Sequence, residues 1–126
     1  MEIPEEIYYS KEHTWLKIEN KIGIVGITEF AQSELGEIVY VDLPNNEYKF
    51  SQNEIFGSVE ALKTVSDLFM PILGKVIETN KQLLKEPTLV NSDPFTTGWM
   101  MKIEIINSEE VKNLLSAEQY KQAINQ

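Results

Sequence analysis

The sequence predicts a mostly-β domain, a small sandwich or barrel with short helices at its periphery. Segments of strand length, either aliphatic or alternating between apolar and charged residues, recur through the first two thirds of the chain. Residues 36–39 and 74–77 share the order glycine, charged, aliphatic, aliphatic, which suggests internal symmetry. The length of 126 residues, with a mass of 14.5 kDa, fits a single domain over 1–126.

The first part of the chain alternates strands with one helix. Gly23 and Gly26 lie inside an aliphatic run and predict a bulge or the close approach of another backbone. Thr28 suits a helix N-cap and Gly36 suits the position just past a helix end, so a helix is expected over 29–35. The predicted strands are 16–19, 22–27, 37–43, 54–60, 65–70, 74–79 and 99–106.

The last third of the chain carries the remaining helical signals. Residues 81–86 predict one helical turn that Pro87 ends, and 87–98 predict a loop. A helical tail is expected over about 108–124. Its signals are capping-box spacings (Asn107 with Glu110, Ser116 with Gln119) and two apolar stripes (Val111, Leu114 and Leu115; Tyr120, Ala123 and Ile124).

Composition and charge exclude several classes of function. The chain has 11 basic and 20 acidic residues, for a net charge of −9 and a pI near 4.6, and every basic residue is lysine. Nucleic acids and anionic membranes attract positive charge, so neither is an expected partner. No apolar run approaches the ~20 residues that cross a bilayer. The acidic start is unlike a signal or transit peptide, which predicts a cytoplasmic protein, or a mitochondrial-matrix protein if a presequence was removed.

Few side chains are equipped for catalysis. The chain has no cysteine and one histidine, His13, so thiolate nucleophiles and disulfides are excluded, and a zinc site or a serine–histidine triad is not expected. No metal site is predicted. These absences favour a carrier or binding protein over an enzyme.

Lys63 is the clearest candidate for a functional side chain. If a hairpin forms over about 54–70, Lys63 lies at its tip, where an amine is exposed and can accept an acyl group. Leu62 beside it would serve a partner better than the fold. The alternative is that Lys63 merely solvates a turn.

The sequence as a whole resembles the glycine cleavage H-protein family, whose members are the lipoyl-carrying components of that system. The resemblance runs from about residue 9 to 120, and four blocks in matching order make it specific. These blocks are YSKEHTW (9–15), GITEFAQ with LGEIV (26–32, 35–39), GSVEALKTVSD with Pro71 and GKV (57–67, 74–76), and NSDPF with GWM (91–95, 98–100).

The resemblance implies a barrel-sandwich hybrid fold of the lipoyl and biotinyl type, with lipoate joined to Lys63 through an amide. Gly57, Glu60, Asp67 and Gly74 would be recognised during attachment. The implied partners are glycine decarboxylase, aminomethyltransferase, dihydrolipoyl dehydrogenase and a lipoate-attaching enzyme. The implied state is a monomeric, non-catalytic carrier of the aminomethyl group.

The resemblance also implies a cleft that shelters the loaded arm, with Glu12, His13, Thr14 and Asp67 as candidates to line it. His13 has a second interpretation, a hydrogen-bonded structural histidine near a sheet edge. The family usually has an acid where this chain has Thr14, which predicts weaker retention of the arm's amine. We expect Thr14→Glu to slow its loss. Ala61, Leu62 and Leu73 also depart from the family pattern.

Two other functions stay open from sequence. Residues 60–63 superficially resemble the attachment core of biotin carriers, although Leu62 and Thr64 replace the methionines that flank that lysine. A family member could also relay lipoyl groups to other complexes without any glycine chemistry, and Thr14 is the one hint in that direction.

Overall fold

The computed structural model describes residues 1–125, and it confirms the mostly-β class. Nine strands form two antiparallel sheets. Four short α-helices and one 3₁₀ helix surround them. The strands are β1 Tyr8–Tyr9, β2 Thr14–Glu19, β3 Ile22–Ile27, β4 Ile38–Asp42, β5 Lys49–Phe50, β6 Ile55–Ala61, β7 Val65–Phe69, β8 Gly74–Thr79 and β9 Met101–Ile105. The helices are α1 Glu29–Leu35, α2 Gln82–Lys85, α3 Leu89–Ser92, the 3₁₀ helix Ser108–Asn113 and α4 Ala117–Ala123.

The two sheets differ in size and share one core. The larger sheet has the strand order β1-β2-β3-β9-β8-β5, and the smaller has the order β4-β6-β7. Apolar side chains from both sheets meet in a single buried cluster, which includes Leu16 and Val76 from the larger sheet and Val41 and Val59 from the smaller. Within residues 1–125 the sheets remain two separate layers rather than one closed barrel.

Helix α1 begins and ends as the sequence predicts. The Thr28 hydroxyl accepts the Ala31 amide proton, and Gly36 takes a positive φ of 84° with its amide donating to Gln32. This helix connects β3 to β4 and so crosses from the larger sheet to the smaller one. It forms one wall beside the β6–β7 hairpin.

Three local predictions are wrong. Residues 89–92, predicted as loop, form α3, because the buried Val90 anchors a turn to the core. Asn107 caps the tail through the Glu109 amide, and the Glu110 side chain instead accepts from the Leu73 amide at 2.7 Å. Strand β3 pairs without a bulge; side chains, not another backbone, lie closest to its glycines.

A second, smaller cluster attaches the tail to the first strands. Tyr9, Trp15, Ala117 and Tyr120 are buried together, and a bridge between Tyr9 and Leu115 continues the sheet edge. The tail is a 3₁₀ helix followed by α4, which Ser116 and Gln119 open with the predicted capping box. No helix within the described residues is both long enough and apolar enough to span a bilayer.

Candidate functional site

The predicted hairpin is present, and Lys63 lies in its turn. Strands β6 and β7 pair antiparallel, with Glu60 opposite Val65 in the last pair before the turn. The Ala61 amide donates to the Thr64 carbonyl at 2.8 Å and closes the turn, which leaves Leu62 and Lys63 as its central residues. Both side chains are exposed. The Lys63 amine is therefore displayed on a short loop that two strands hold in place.

The two glycines predicted for attachment recognition have a steric reason to be glycine. A Cβ on Gly57 would overlap the carbonyl oxygen of Asp42 on the neighbouring strand β4. A Cβ on Gly74 would approach the Ile103 side chain to 2.9 Å and the Glu104 carbonyl oxygen to 3.0 Å. Close strand packing accounts for both residues without any partner.

A cleft opens beside β7, between the hairpin, helix α1 and the turn before β2. Its volume is about 230 Å³. All four candidates for the arm cleft, Glu12, His13, Thr14 and Asp67, line it, although they come from separated parts of the chain. Lys63 is not in its lining. The other lining residues are Ile27, Phe30, Ala31, Glu34, Leu35, Val59, Ser66 and Leu68.

A hydrogen-bonded network holds His13 at the cleft wall. His13 has a positive φ of 70°, and its Nδ1 lies 2.7 Å from the Tyr120 hydroxyl. The same hydroxyl lies 2.7 Å from Thr28 Oγ1, and the Tyr120 ring stacks on Tyr9 with centroids 4.7 Å apart. A phenol has a single proton, so Tyr120 donates at most one of these bonds and accepts at least one. His13 therefore fits both interpretations: it is a hydrogen-bonded structural histidine, and it also lines the cleft.

Burial keeps the His13 network uncharged. It lowers the pKa of His13, while the nearby carboxylates of Glu12 and Glu34 oppose that shift. It also raises the pKa of Tyr120, against the opposing effect of the Thr28 hydrogen bond. At neutral pH the cleft wall therefore presents a neutral imidazole and a protonated phenol.

Thr14 lines the cleft, but its hydroxyl has a partner inside the protein. The side chain is 1% exposed, and its Oγ1 lies 2.6 Å from Ser10 Oγ. Ser10 Oγ also accepts the amide protons of Glu12 and Thr14. A glutamate at position 14 would have to break this turn, so Thr14→Glu changes local structure as well as charge.

Sequence reasoning missed Glu34, which lies on α1 and lines the cleft with Glu12 and Asp67. Three carboxylates thus line the cleft together with apolar residues that include Phe30 and Leu35. Among the described residues that line the cleft, none is lysine. Residues 1–125 hold no grouping of three histidine or acidic side chains suited to a metal ion. The arrangement instead fits a slender apolar chain that ends in a cation such as an ammonium group.

Comparisons with known proteins all match this chain to one family. The family model described as glycine cleavage H-protein matches residues 7–126. Glycine cleavage system H proteins from two strains of Staphylococcus epidermidis are 49% and 48% identical over 126 residues, covering all of both chains. The crystal structure of a glycine cleavage system H protein from Mycobacterium marinum superposes with a TM-score of 0.89 at 31% identity, covering 98% of this chain and 100% of that one. This chain therefore belongs to the glycine cleavage H-protein family.

Proposed function

We propose that this protein is the carrier component of a glycine cleavage system and that lipoate is attached to Lys63 through an amide. The observation that supports Lys63 as the attachment site is its exposure at the centre of the turn that joins two paired strands. Lipoate supplies a disulfide that accepts the aminomethyl group of glycine together with two electrons. The chain has no cysteine, so it could join such chemistry only through a borrowed disulfide.

An arm on Lys63 would be long enough to reach the cleft. From Cα to the sulfur atoms such an arm spans roughly a dozen bonds, or about 15 Å when extended. Asp67 is four residues further along β7, about 13 Å away along the strand. An arm that folds back along β7 would therefore bring its end to the cleft.

The cleft residues suit the retention of an amine at the end of that arm. Phe30 and Leu35 offer apolar contact to the methylene chain, and the carboxylates of Glu12, Glu34 and Asp67 attract an ammonium group. We propose that Glu34 offsets the missing acid at position 14. The neutral His13 adds no positive charge that would repel the amine.

Partner assignments follow from the same proposal. Glycine decarboxylase would load the arm, aminomethyltransferase would unload it, and dihydrolipoyl dehydrogenase would reoxidise it. The net charge of −9 would steer basic partner surfaces toward the carrier without requiring any one of them to bind tightly. The chain itself binds and shelters; we propose no catalytic residue in it.

Intact-mass analysis with peptide mapping of the protein from its native cells tests the attachment. We expect one lipoyl adduct, confined to Lys63. Lys63→Arg keeps the charge but cannot be acylated, and it should abolish glycine–bicarbonate exchange in a reconstituted system. The exposed Lys85→Arg serves as the matched control and should leave exchange unchanged.

The two alternatives predict different results in the same experiment, and neither is favoured by the comparisons. A biotin adduct on Lys63 would indicate a biotin carrier. A lipoyl adduct with no exchange activity, despite active partner enzymes, would indicate a lipoyl relay. An unmodified Lys63 in lipoylating cells would refute the carrier proposal altogether.

Retention of the amine is tested by its spontaneous loss from the loaded protein. A charge-assisted hydrogen bond contributes about 1.5–3 kcal/mol and a neutral one about 1 kcal/mol, so Glu34→Gln should accelerate loss several-fold. Glu37→Gln, on an exposed residue outside the cleft, is the matched control. Equal loss rates for the two variants would remove Glu34 from the proposal.

A further inference from the structure

Exposed apolar side chains gather around the tip of the Lys63 hairpin. Leu62 is 74% exposed, Val65 is 63% exposed and Tyr40, on the adjacent strand β4, is 47% exposed. Scattered apolar residues on a surface are ordinary, but a group at one end of a small sheet is a feature of interaction sites. We call Tyr40, Leu62 and Val65 the tip patch.

Strand register places two members of the tip patch, Tyr40 and Val65, on one face with Glu60 between them. Tyr40 lies opposite Glu60, and Glu60 lies opposite Val65, so the three side chains form a row across β4, β6 and β7. Neighbouring strands are about 4.8 Å apart, which makes the row about 10 Å wide. Leu62 follows the last strand pair, in the turn directly before Lys63, and its side chain is exposed.

The fold does not need the tip patch. The opposite face of the same strands supplies the core through Val41, Val59 and Leu68, each at most 3% exposed. Tyr40 and Val65 point away from that core, and polar residues would fill these positions at no cost to packing. Their apolar character therefore points to contact with another molecule.

We propose that the tip patch is the docking surface for the enzyme that acylates Lys63. This inference rests on the proposed attachment of lipoate. A lysine side chain spans only about 6 Å from Cα to Nζ, so an enzyme acting on Nζ has to contact the hairpin tip. Enzymes that act on the far end of the arm work about 15 Å from the same Cα and can do so without touching the patch.

Charge defines the complementary surface on that enzyme. Glu60 lies within the row, and the next row on the same face contains Asp42 opposite Ser58 and Ser58 opposite Asp67. Lys63 is the one basic residue in β4, the hairpin turn, β6 and β7. The expected partner surface is an apolar hollow with lysine or arginine at its rim.

The chemical step at this surface is acyl transfer. A bond forms between Lys63 Nζ and the carboxyl carbon of an activated lipoyl donor, an acyl adenylate or thioester. The bond from that carbon to the donor's phosphate or thiol breaks, and the leaving group departs with the electron pair. The lysine ammonium loses one proton before attack and a second as the amide forms.

The test compares acylation kinetics of the apo-protein with purified lipoate-attaching enzyme, lipoate and ATP. The double variant Tyr40→Ser, Val65→Ser should raise KM for the carrier about tenfold with kcat within twofold, as expected when two central contacts are lost. Tyr48→Ser, which removes a tyrosine that is 58% exposed and directly precedes β5 of the larger sheet, is the matched control and should change neither value. Thermal unfolding should be unchanged in both variants, since Tyr40, Val65 and Tyr48 all lie outside the buried core.

Three outcomes would overturn the inference. An unchanged KM in the double variant would exclude the patch from docking. If the double variant, acylated at high enzyme concentration, is also about tenfold poorer as a substrate for glycine decarboxylase, the patch serves partners in general rather than the attaching enzyme. If the wild-type chain accepts no acyl group on Lys63, the proposed function fails first and this inference fails with it.

Discussion

Replacing Tyr120 with phenylalanine isolates the hydroxyl that connects the tail to the cleft wall. Tyr120 is 1% exposed, and its hydroxyl makes two hydrogen bonds of 2.7 Å, to His13 Nδ1 and Thr28 Oγ1. The variant keeps the ring and its stacking on Tyr9. Each lost bond costs about 1 kcal/mol, so we expect the free energy of unfolding to fall by about 2 kcal/mol.

The expected shift in melting temperature follows from the size of the chain. At about 2.1 cal/mol/K per residue, 126 residues give an unfolding entropy of about 0.26 kcal/mol/K, so 2 kcal/mol corresponds to about 8 °C. Thermal unfolding by circular dichroism measures it. Tyr48→Phe, on a tyrosine 58% exposed, is the matched control and should shift the midpoint by less than about 2 °C. If the two variants melted alike, the network would add nothing to stability, and our account of how His13 is held would be wrong.

Three further predictions concern other residues. Gly57→Ala should lower the melting temperature by at least about 10 °C, because its Cβ would overlap the Asp42 carbonyl and force β4 from β6; a normal melt would refute that steric role. The pKa of His13 is lowered by burial, so the unfolded chain binds its proton more readily. The free energy of unfolding should therefore fall as pH drops below about 6.5. Melting temperatures of the wild type and of His13→Asn measured across this pH range test it, and the contribution of His13 to the fall should be absent in the variant. The buried Asn80 side chain donates to two backbone carbonyls at 3.0 and 2.8 Å, so Asn80→Asp should cost at least about 2 kcal/mol in urea unfolding at neutral pH. A cost near zero would show that this amide is not needed.

Local chemistry explains which elements the sequence predicts well. Helix α1 has a hydroxyl at one end and a glycine at the other, and both form the expected hydrogen bonds. The hairpin strands have enough apolar residues to identify them: 65–69 lies within the predicted 65–70, and 55–61 differs from the predicted 54–60 by one residue at each end. Strands β1 and β5 have two residues each, too short for any periodicity, and they exist because of their partners in the larger sheet.

Site residues that belong to a local sequence motif could be predicted. Contacts that form only when distant parts of the chain pack together could not. Lys63 could be identified from the hairpin and the family pattern. The contact between His13 and Tyr120 joins residues 107 positions apart, and no local signal connects them. Glu34 had a signal that could have been used. On α1 it follows Phe30 by four residues and Ala31 by three, a spacing that puts its carboxylate on the same side of the helix as those apolar residues.

The long separation between His13 and Tyr120 has a consequence for the order in which the molecule can form during synthesis. The β6–β7 hairpin uses only neighbouring residues and can close as soon as they leave the ribosome. The larger sheet must wait for β9 to pair with β3, and the anchor of His13 must wait for α4, the last helix to be made. The turn that carries Lys63 is thus synthesised before the Tyr120 that anchors the cleft wall. A nascent chain that stops short of α4 would present the hairpin tip while its cleft still lacked the Tyr120 anchor.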